Sequence, residues 1–253
     1  MAKYLSVIIP CYNEEANLKR GVLGEVYDFL NKKDFDWEVL ISDDGSDDGS
    51  REIIKEEIKK YKNFKLLENP HGGKPSALYY GIKIAEGDWI LFTDMDQSTP
   101  IGETDKLLPY TNQNYGAIIG SRGLGRKDFP LYRKLGAMVF ATIRRALILS
   151  EITDTQCGFK MFKKAALKEN FPKLEFFRTK EKVTGWKVTS WDVEFLHILK
   201  AKGYKIKEVV VDWKDRDVSR GKDLGLKKYI KESGEMFMQI LRVKVNDIKG
   251  MYK

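Results

Sequence analysis

The chain has 253 residues, of which 42% are hydrophobic and 32% charged, a composition typical of an ordered soluble protein rather than a disordered one. Lys and Arg number 45 against 37 Asp and Glu, and the net charge of +8 favours an anionic partner such as nucleic acid, a phosphorylated substrate or an acidic lipid surface. Two cysteines and two histidines are too few for a disulfide framework or a Cys/His zinc cluster.

Short apolar runs alternate with segments of helical periodicity through the first half of the chain. This pattern predicts βαβ units and an α/β fold, with a Rossmann-like, mainly parallel sheet flanked by helices. The predicted strands are 5–9, 38–42, 64–67, 89–92 and 117–119. The predicted helices between them are 17–30, 49–61 and 74–85.

The alternation weakens after residue 121. The sequence then predicts a basic loop, an apolar helix, a second loop, a helix, a strand and a charged loop, in this order: 122–134, 135–149, 153–160, 191–200, 205–213 and 214–223. From 224 to 253 the chain has the pattern of a basic amphipathic helix. We expect one domain over 1–223, with halves 1–121 and 122–223, followed by this C-terminal helix.

The sequence also bears on the cellular compartment. The N-terminus leads directly into a predicted strand, without the regions of a signal peptide. The most apolar stretch, 135–143, is about half of the roughly 20 residues that a membrane-spanning helix needs. The sequence therefore predicts a cytoplasmic protein without a spanning helix.

Asp94 and Asp96 follow directly after the buried strand predicted at 89–92. Ligands of open α/β sheets gather at the carboxyl ends of strands, and two carboxylates placed there can converge on a hard divalent cation that bridges a diphosphate. An isolated Asp-x-Asp is more often a solvated turn or a helix cap. Its position after a hydrophobic strand favours the metal site here.

A second acidic run, 42–50, follows the strand 38–42. It is not an EF-hand loop, because Ile54 stands where the twelfth-position Glu would be. A carboxylate of this run could accept hydrogen bonds from a base or ribose, or the Asp and Ser residues could cap the next helix. The later segment 71–76 lacks the first Gly of a phosphate loop, but Lys74 at a helix start could still contact a phosphate.

These pieces together resemble the family 2 glycosyltransferases of the GT-A fold, and within them the polyprenyl- or dolichyl-phosphate sugar synthases. The resemblance runs from Val7 to about Lys222. The matching segments are 7–14 (VIIPCYNE), 43–46 (DDGS), 73–74 (GK), 94–96 (DMD), 120–122 (GSR) and 154–160 (DTQCGFK). Any one of them is a weak signal, but six in the order of the family are specific.

The resemblance implies an inverting, metal-dependent transferase whose first half, 1–121, binds a nucleotide sugar and whose second half, 122–223, binds the acceptor. The implied nucleotide-sugar residues are Pro10, Tyr12, Glu14, Asp44 and Lys74. Asp94 and Asp96 would hold Mg2+ or Mn2+, and Ser98 stands where the mannosyl enzymes tend to have Gln as a further metal contact. The segment 153–160 is more similar to the glucosyl enzymes, which favours UDP-glucose over GDP-mannose.

A phosphate monoester has its second pKa at about 6, so such an acceptor is largely anionic at neutral pH and needs no strong base. The candidates to bind it are Arg122, Arg133, Arg216 and Arg220, with Lys222 as a weaker contact, although each alone is more often a solvated surface residue. Asp192 could orient a sugar hydroxyl or act as a base for a hydroxyl acceptor. The alternative is an ordinary acid at a helix N-terminus.

Three alternatives remain open at this stage: a GDP-mannose donor, a sugar or protein hydroxyl as acceptor, and, in a different class, a nucleic-acid-binding protein. The two acidic clusters argue against nucleic acid, because they would repel a polyanion. A lipid-linked acceptor would place the chain peripherally on the cytoplasmic face of an anionic membrane, through the helix 135–149 or the C-terminal helix, with a membrane-embedded partner subunit as a further option. Packing of both helices onto the core is the alternative.

Overall fold

The computed structural model describes residues 3–123, 142–178, 191–218 and 226–252. The first part of the predicted apolar helix 135–149, residues 135–141, lies outside these residues, as do three of the predicted acceptor contacts: Arg133, Arg220 and Lys222. Within the described part, no helix combines the length and the apolar character that crossing a bilayer requires.

The described strands form one sheet of seven, in the order β3-β2-β1-β4-β6-β5-β7. Their bounds are β1 Leu5–Cys11, β2 Trp37–Asp43, β3 Phe64–Glu68, β4 Trp89–Phe92, β5 Ala117–Ser121, β6 Lys160–Lys163 and β7 Ile206–Val210. Neighbouring strands are parallel except at β6, which is antiparallel to both β4 and β5. The predicted mainly parallel sheet is therefore confirmed.

Helices cover both faces of the sheet. The α-helices are α1 Glu15–Leu18, α2 Val22–Leu30, α3 Ser50–Glu57, α4 Lys74–Ile84, α5 Thr104–Leu107, α6 Lys164–Asn170, α7 Glu175–Arg178, α8 Trp191–Ala201 and α9 Leu226–Ile248. Residues 142–147 are also helical. Short 3-10 helices occupy Ile58–Lys60, Ile101–Glu103, Leu108–Tyr110 and Phe171–Lys173.

Several elements differ from the prediction, and the short helices α5, α6 and α7 were not predicted. The helix expected over 17–30 is two helices, because Gly21 has a φ of 77° and separates α1 from α2. The strand expected over 205–213 ends at Val210. No strand was predicted at β6, because its four residues Lys-Met-Phe-Lys are too few for periodicity to separate a strand from a loop.

The core consists of two apolar clusters on opposite faces of the sheet. Successive side chains of a strand point to opposite faces, and β1 accordingly gives Val7 and Ile9 to one cluster and Ile8 to the other. The cluster around Ile8 also includes Ile240 and Val243 of α9, so the C-terminal helix packs onto the core with one face.

Parallel pairing brings the functional loops to one edge of the sheet. Cys11 pairs with Asp43 and Ile8 pairs with Phe92, so β1, β2 and β4 end side by side. The loops that follow these strands therefore meet at the carboxyl edge, where ligands of such sheets bind. Helix α4 supports this edge at close range, because a Cβ on Gly81 would lie 2.8 Å from Ile8 Cγ2.

Candidate active site

A pocket opens at the carboxyl ends of β1 and β4. Its lining residues are Pro10, Tyr12, Glu14, Lys74, Asp94, Met95, Asp96 and Asp217. Six of these eight were predicted from the sequence, and they come from the end of β1 and the loop after it, the start of α4 and the loop after β4. Met95 and Asp217 were missed; for Asp217 the signal was an acidic residue in the charged loop 214–223, whose position no local pattern defines.

Lys74 and Asp94 form an ion pair in this pocket, with Lys74 Nζ 2.5 Å from Asp94 Oδ1. The lysine is placed there because it is the first residue of α4. Although burial opposes ionisation, the positive charges of Lys74, Lys160 and Arg122 hold the pKa of Asp94 below its ordinary value. Asp94 is thus a carboxylate whose exposed fraction of 42% leaves it accessible from the pocket.

Ser98 fixes the second carboxylate of the pair. Its backbone N–H and its hydroxyl donate to the two oxygens of Asp96, both at 2.8 Å. The Ser98 hydroxyl also accepts a hydrogen bond from the backbone N–H of Arg216 at 3.1 Å. Burial raises the pKa of Asp96, and repulsion from Asp94 adds to this effect against the two Ser98 hydrogen bonds.

The chemistry of this donor set fits a divalent cation. Two carboxylates, those of Asp94 and Asp96, line the same pocket. Proteins commonly hold Mg2+ with one or two carboxylates together with the phosphates of the substrate. Within the described residues no group of three Asp, Glu, His or Cys side chains forms a complete protein cage. A cation at Asp94 and Asp96 would therefore take its other ligands from a bound diphosphate and water. Ser98 contacts Asp96 in the structure, which is the arrangement of a residue that orients a ligand.

Asp44 is 1% exposed and links its own loop to the loop 71–73. Its carboxylate accepts hydrogen bonds from the backbone N–H groups of Gly72 and Gly73, both at 2.9 Å, and lies 3.0 Å from His71 Nδ1. Burial raises its pKa despite these contacts. Asp44 thus holds the turn that precedes Lys74, a role that sequence reasoning missed. Its contact with a nucleoside stays a prediction.

Aromatic and acidic side chains form the wall next to this turn. The ring of Tyr12 stacks on His71, with centroids 4.6 Å apart, although no role was predicted for this histidine. Burial raises the pKa of Glu14 to about 7, while a hydrogen bond from Asn17 at 2.6 Å opposes the shift. The same Asn17 amide donates to Asp217 at 3.0 Å, so two acids of the pocket share one neutral partner.

The loops after β1 and β4 each contain a residue in the left-handed region. Asn13 has a φ of 55° and Gln97 a φ of 51°. This conformation is uncommon for residues other than glycine and often occurs where a functional site fixes the backbone. Asn13 is held by Asp47, and Gln97 donates to the carbonyl of Asp94 at 2.9 Å. Each of the two loops is therefore held by a hydrogen bond from the amide side chain of its left-handed residue.

Asp192 lies at the start of α8 and is 8% exposed. It accepts hydrogen bonds from the backbone N–H of Val193 at 2.9 Å and from the Gln156 amide at 3.1 Å, and it lies 3.6 Å from Lys160 Nζ. Burial opposes ionisation of Lys74, but Asp94 and, to a smaller extent, Asp192 raise the pKa of that lysine. Asp192 thus lies in the first turn of α8 and accepts a hydrogen bond from a backbone N–H there. Its contact with a sugar hydroxyl or an acceptor stays a prediction.

Two of the predicted acceptor arginines are paired with carboxylates. Arg122 donates to both oxygens of Asp154, at 2.7 and 2.8 Å, and Arg216 donates to both oxygens of Glu25, at 2.8 and 3.0 Å. Planar pairs of this kind fix the guanidinium groups. The backbone N–H of Arg216 contacts Ser98, in the loop after β4, and Arg122 lies near Asp94.

The sequence model of glycosyl transferase family 2 matches residues 6–171, more than half of the chain. The chain belongs to this family. Every element that lines the pocket up to Asp96 falls within the matched residues. Asp192, Arg216 and Asp217 lie after them, so their placement rests on the structure.

Curated relatives share much of the chain. A dolichyl-phosphate beta-glucosyltransferase of Trichomonas vaginalis is 34% identical, over 89% of this chain and 70% of the relative. The protein of this name from Homo sapiens is 31% identical, over 86% of this chain and 69% of the relative. The similarity to the glucosyl type that the segment 153–160 predicted is therefore confirmed.

Solved structures share the fold at lower identity. Glucosyl-3-phosphoglycerate synthase from Mycobacterium tuberculosis, solved with Mn2+ and UDP-glucose, aligns with a TM-score of 0.61 at 16% identity, covering 95% of this chain and 79% of that chain. The mannosyltransferase PcManGT from Pyrobaculum calidifontis, solved with GDP-Man and Mn2+, aligns with a TM-score of 0.63 at 17% identity, covering 97% of this chain and 65% of that chain. The fold is GT-A, as the resemblance implied.

Proposed function

We propose that the chain is an inverting glucosyltransferase that moves glucose from UDP-glucose to a polyprenyl or dolichyl phosphate. The observation that carries the proposal is the convergence of Asp94, Asp96 and Lys74 with Tyr12 and Glu14 in one pocket. The glucosyl and lipid-phosphate parts of the proposal rest on relatives that are named dolichyl-phosphate beta-glucosyltransferases.

The donor half of the proposal assigns the nucleotide sugar to the carboxyl edge of the sheet. Tyr12, Glu14 and Asp44 with Pro10 would hold the nucleoside, and Lys74 would contact a phosphate. Asp94 and Asp96 would hold Mg2+ or Mn2+, which when bound supplies positive charge to the leaving diphosphate. Lys74 already provides one fixed positive charge at this place, next to Asp94.

The acceptor half of the proposal follows from charge. A phosphate oxygen of the acceptor attacks the anomeric carbon from the face opposite the diphosphate, and UDP leaves with the electrons of the broken bond. Because this phosphate is already anionic at neutral pH, arginines replace a general base. Arg122 and Arg216 would bind it together with Arg133 and Arg220. Asp192 would orient a sugar hydroxyl.

A product panel tests the donor and the acceptor together. Purified protein with Mg2+ or Mn2+ is incubated with UDP-glucose or GDP-mannose, and with a short polyprenyl phosphate, a phosphorylated hydroxy acid or no acceptor. We expect mass spectrometry to detect glucosyl phosphoryl polyprenol with UDP-glucose. If only the phosphorylated hydroxy acid is glucosylated, the acceptor is a hydroxyl group rather than a lipid phosphate. If only GDP-mannose yields a product, the donor is GDP-mannose rather than UDP-glucose.

The metal assignment has a matched pair of variants. Asp96→Asn removes a charge that the proposal places on the cation and should abolish transfer while preserving the fold, because a partly exposed loop carboxylate contributes little to the core. Asp105→Asn removes an exposed carboxylate of α5 that pairs with Lys33, and should leave transfer unchanged. Full activity of Asp96→Asn, or of the wild type in excess chelator, would contradict the assignment.

The nucleoside assignment is tested by binding. Asp44→Asn keeps the size of the side chain and removes its charge, and the contact with a base or ribose should weaken UDP binding by about 1–3 kcal/mol. Because Asp44 also holds Gly72 and Gly73, the thermal midpoint is measured in parallel. Unchanged UDP affinity in calorimetry, with the fold intact, would restrict Asp44 to its structural role.

We also propose that the chain binds the cytoplasmic face of an anionic membrane through α9. Ile240 and Val243 are buried on one face of this helix, whereas Met238, Val245 and Ile248 are exposed by 61%, 46% and 73% on another. Lysines flank the exposed residues, and basic residues near an anionic surface contribute about 1 kcal/mol each. Binding of this kind is reversible and sensitive to salt.

Vesicle sedimentation tests the membrane proposal. The protein should bind acidic liposomes at low salt and dissociate at high salt, and Ile248→Ser should weaken this binding. Ile84→Ser is the matched control, because Ile84 is also an exposed apolar residue at a helix end, with 44% of its area exposed. Equal liposome binding by the wild type, Ile248→Ser and Ile84→Ser would show that the exposed surface of α9 does not bind the membrane. Transfer that requires an added membrane fraction would favour a membrane-embedded partner subunit.

A further inference from the structure

Lys160 is a buried lysine that no part of the proposed reaction uses. It is the first residue of β6, and 2% of its area is exposed. Lysine is almost never fully buried unless it is paired, because removing an ammonium group from water is costly. Its buried position at the start of a strand therefore requires a partner that compensates the charge.

The partners of Lys160 are few and specific. Its ammonium group donates to the carbonyl of Cys157 and lies 3.6 Å from Asp192 Oδ2, and it is 5.9 Å from the centroid of the Trp191 ring. The carboxylate of Asp192 also accepts from Gln156 at 3.1 Å. Thus the chain segment that precedes β6 and the first residue of β6 together hold the carboxylate at the start of α8.

The same segment contacts the other candidate carboxylate. Gly158 packs directly against Asp94, and the charge of Lys160 contributes to the low pKa of Asp94. The charge of Lys160 therefore acts on Asp94, and its ammonium group lies within ion-pair distance of Asp192. A fixed positive charge in the protein interior stabilises a nearby carboxylate as an anion.

We propose that Lys160 is a positioning residue that acts through Asp192: it holds the Asp192 carboxylate in the orientation in which it contacts the reacting sugar or acceptor. This inference rests on the proposed function, because it needs Asp192 near the reacting groups. It makes the charge of Lys160, rather than its packing volume, the property that matters. It also separates Lys160 from Lys74, which contacts Asp94 in the pocket.

A double-mutant cycle between Lys160 and Asp192 tests the inference. The variants are Lys160→Met, Asp192→Asn and the double variant, with Lys163→Met as the control at the exposed end of the same strand. We expect Lys160→Met to lower kcat by about 10- to 100-fold, as loss of an orienting partner does elsewhere, with KM for UDP-glucose nearly unchanged. The double variant should have the kcat of Asp192→Asn, because Lys160 has no further effect without its partner. Lys160→Arg should recover part of kcat.

Stability is measured on the same proteins so that misfolding is recognised. Lys160→Met leaves Asp192 without its ion-pair partner, and its unfolding midpoint could fall for this reason alone. The double variant removes both charges and should regain stability, so its kcat remains a valid comparison. A double variant with a kcat well below that of Asp192→Asn, or parallel loss of kcat and UDP affinity in folded Lys160→Met, would overturn the inference.

Failure of the proposed function is distinguishable from failure of this inference. If the wild type transfers no glucose to polyprenyl phosphate, the product panel identifies the donor and acceptor that react, and the cycle is repeated with that pair. Non-additive kcat values would then support the Lys160–Asp192 relationship for another acceptor. Additive kcat values with an active wild type would overturn it.

Discussion

Gly158 and Asp94 are in direct contact across the site: a Cβ atom on Gly158 would lie 2.0 Å from Asp94 Oδ2. Side chains do not tolerate this distance, so the position admits only glycine while Asp94 keeps its place. The glycine of the 154–160 segment is therefore explained by the carboxylate that lies against it, and the contact joins this segment to the loop that follows β4.

Gly158→Ala should displace Asp94 and reduce transfer by at least about 100-fold, since a misplacement of 1 Å at the chemistry has this effect. The fold should persist, because the clash involves the end of one side chain. Gly234→Ala is the control: no atom lies within 4 Å of a Cβ at this position in α9, and alanine favours a helix. Wild-type activity of Gly158→Ala would show that Asp94 moves without consequence.

Ser98→Ala should weaken Mn2+ binding by about 10-fold, because the hydroxyl that orients Asp96 is lost. The same change removes the acceptor for the Arg216 N–H, so loosening of residues 214–217 should accompany it. Calorimetric titration with Mn2+ and UDP measures the first effect, and hydrogen exchange measures the second. Ser150→Ala, at an exposed serine, should change neither value. Equal Mn2+ affinity in Ser98→Ala would exclude an orienting role.

Glu14→Gln should make the metal-free protein more stable above neutral pH. The folded-state pKa of Glu14 is raised to about 7, above the value of the unfolded chain, so the folded protein favours the protonated side chain. The stability that this protonated form contributes is fully present below the unfolded-state pKa. It is lost as the pH rises through about 7. Removing the charge should recover about 1–3 kcal/mol at pH 8 and nothing at pH 4, after allowance for the partial exposure of this side chain. Denaturant unfolding in chelator at the two pH values measures the difference. An equal effect at both pH values would contradict the assigned cause.

Ile240→Ala should lower the free energy of unfolding by about 2–5 kcal/mol, because Ile240 is fully buried where α9 packs on the core. Met238→Ala, two residues earlier on an exposed surface of the same helix, should change it by less than about 0.5 kcal/mol. Denaturant unfolding curves of both variants provide the comparison. Equal stability of the two variants would mean that α9 is an appendage that separates from the core in solution.

The sequence by itself determined the parallel part of the sheet and the acids at its edge. Each strand from β1 to β5 is a short apolar run, and Asp94 and Asp96 directly follow one of them. Both features depend on neighbouring residues, so local periodicity and strand-end position are sufficient to predict them. The interruption of the first helix at Gly21 was less visible, because a glycine within a helical pattern does not reveal its own φ.

Only the tertiary structure decided which distant residues share the site. The insertion of β6 between β4 and β5 accompanies the contacts of Gly158 with Asp94 and of Lys160 with Asp192. A separate long-range contact links Asp217 to Glu14 through Asn17. These pairs lie far apart in the sequence, and β6 is antiparallel and four residues long. Its position is fixed by the burial of Met161 and Phe162 on opposite faces of the sheet, a long-range packing effect that no local pattern encodes.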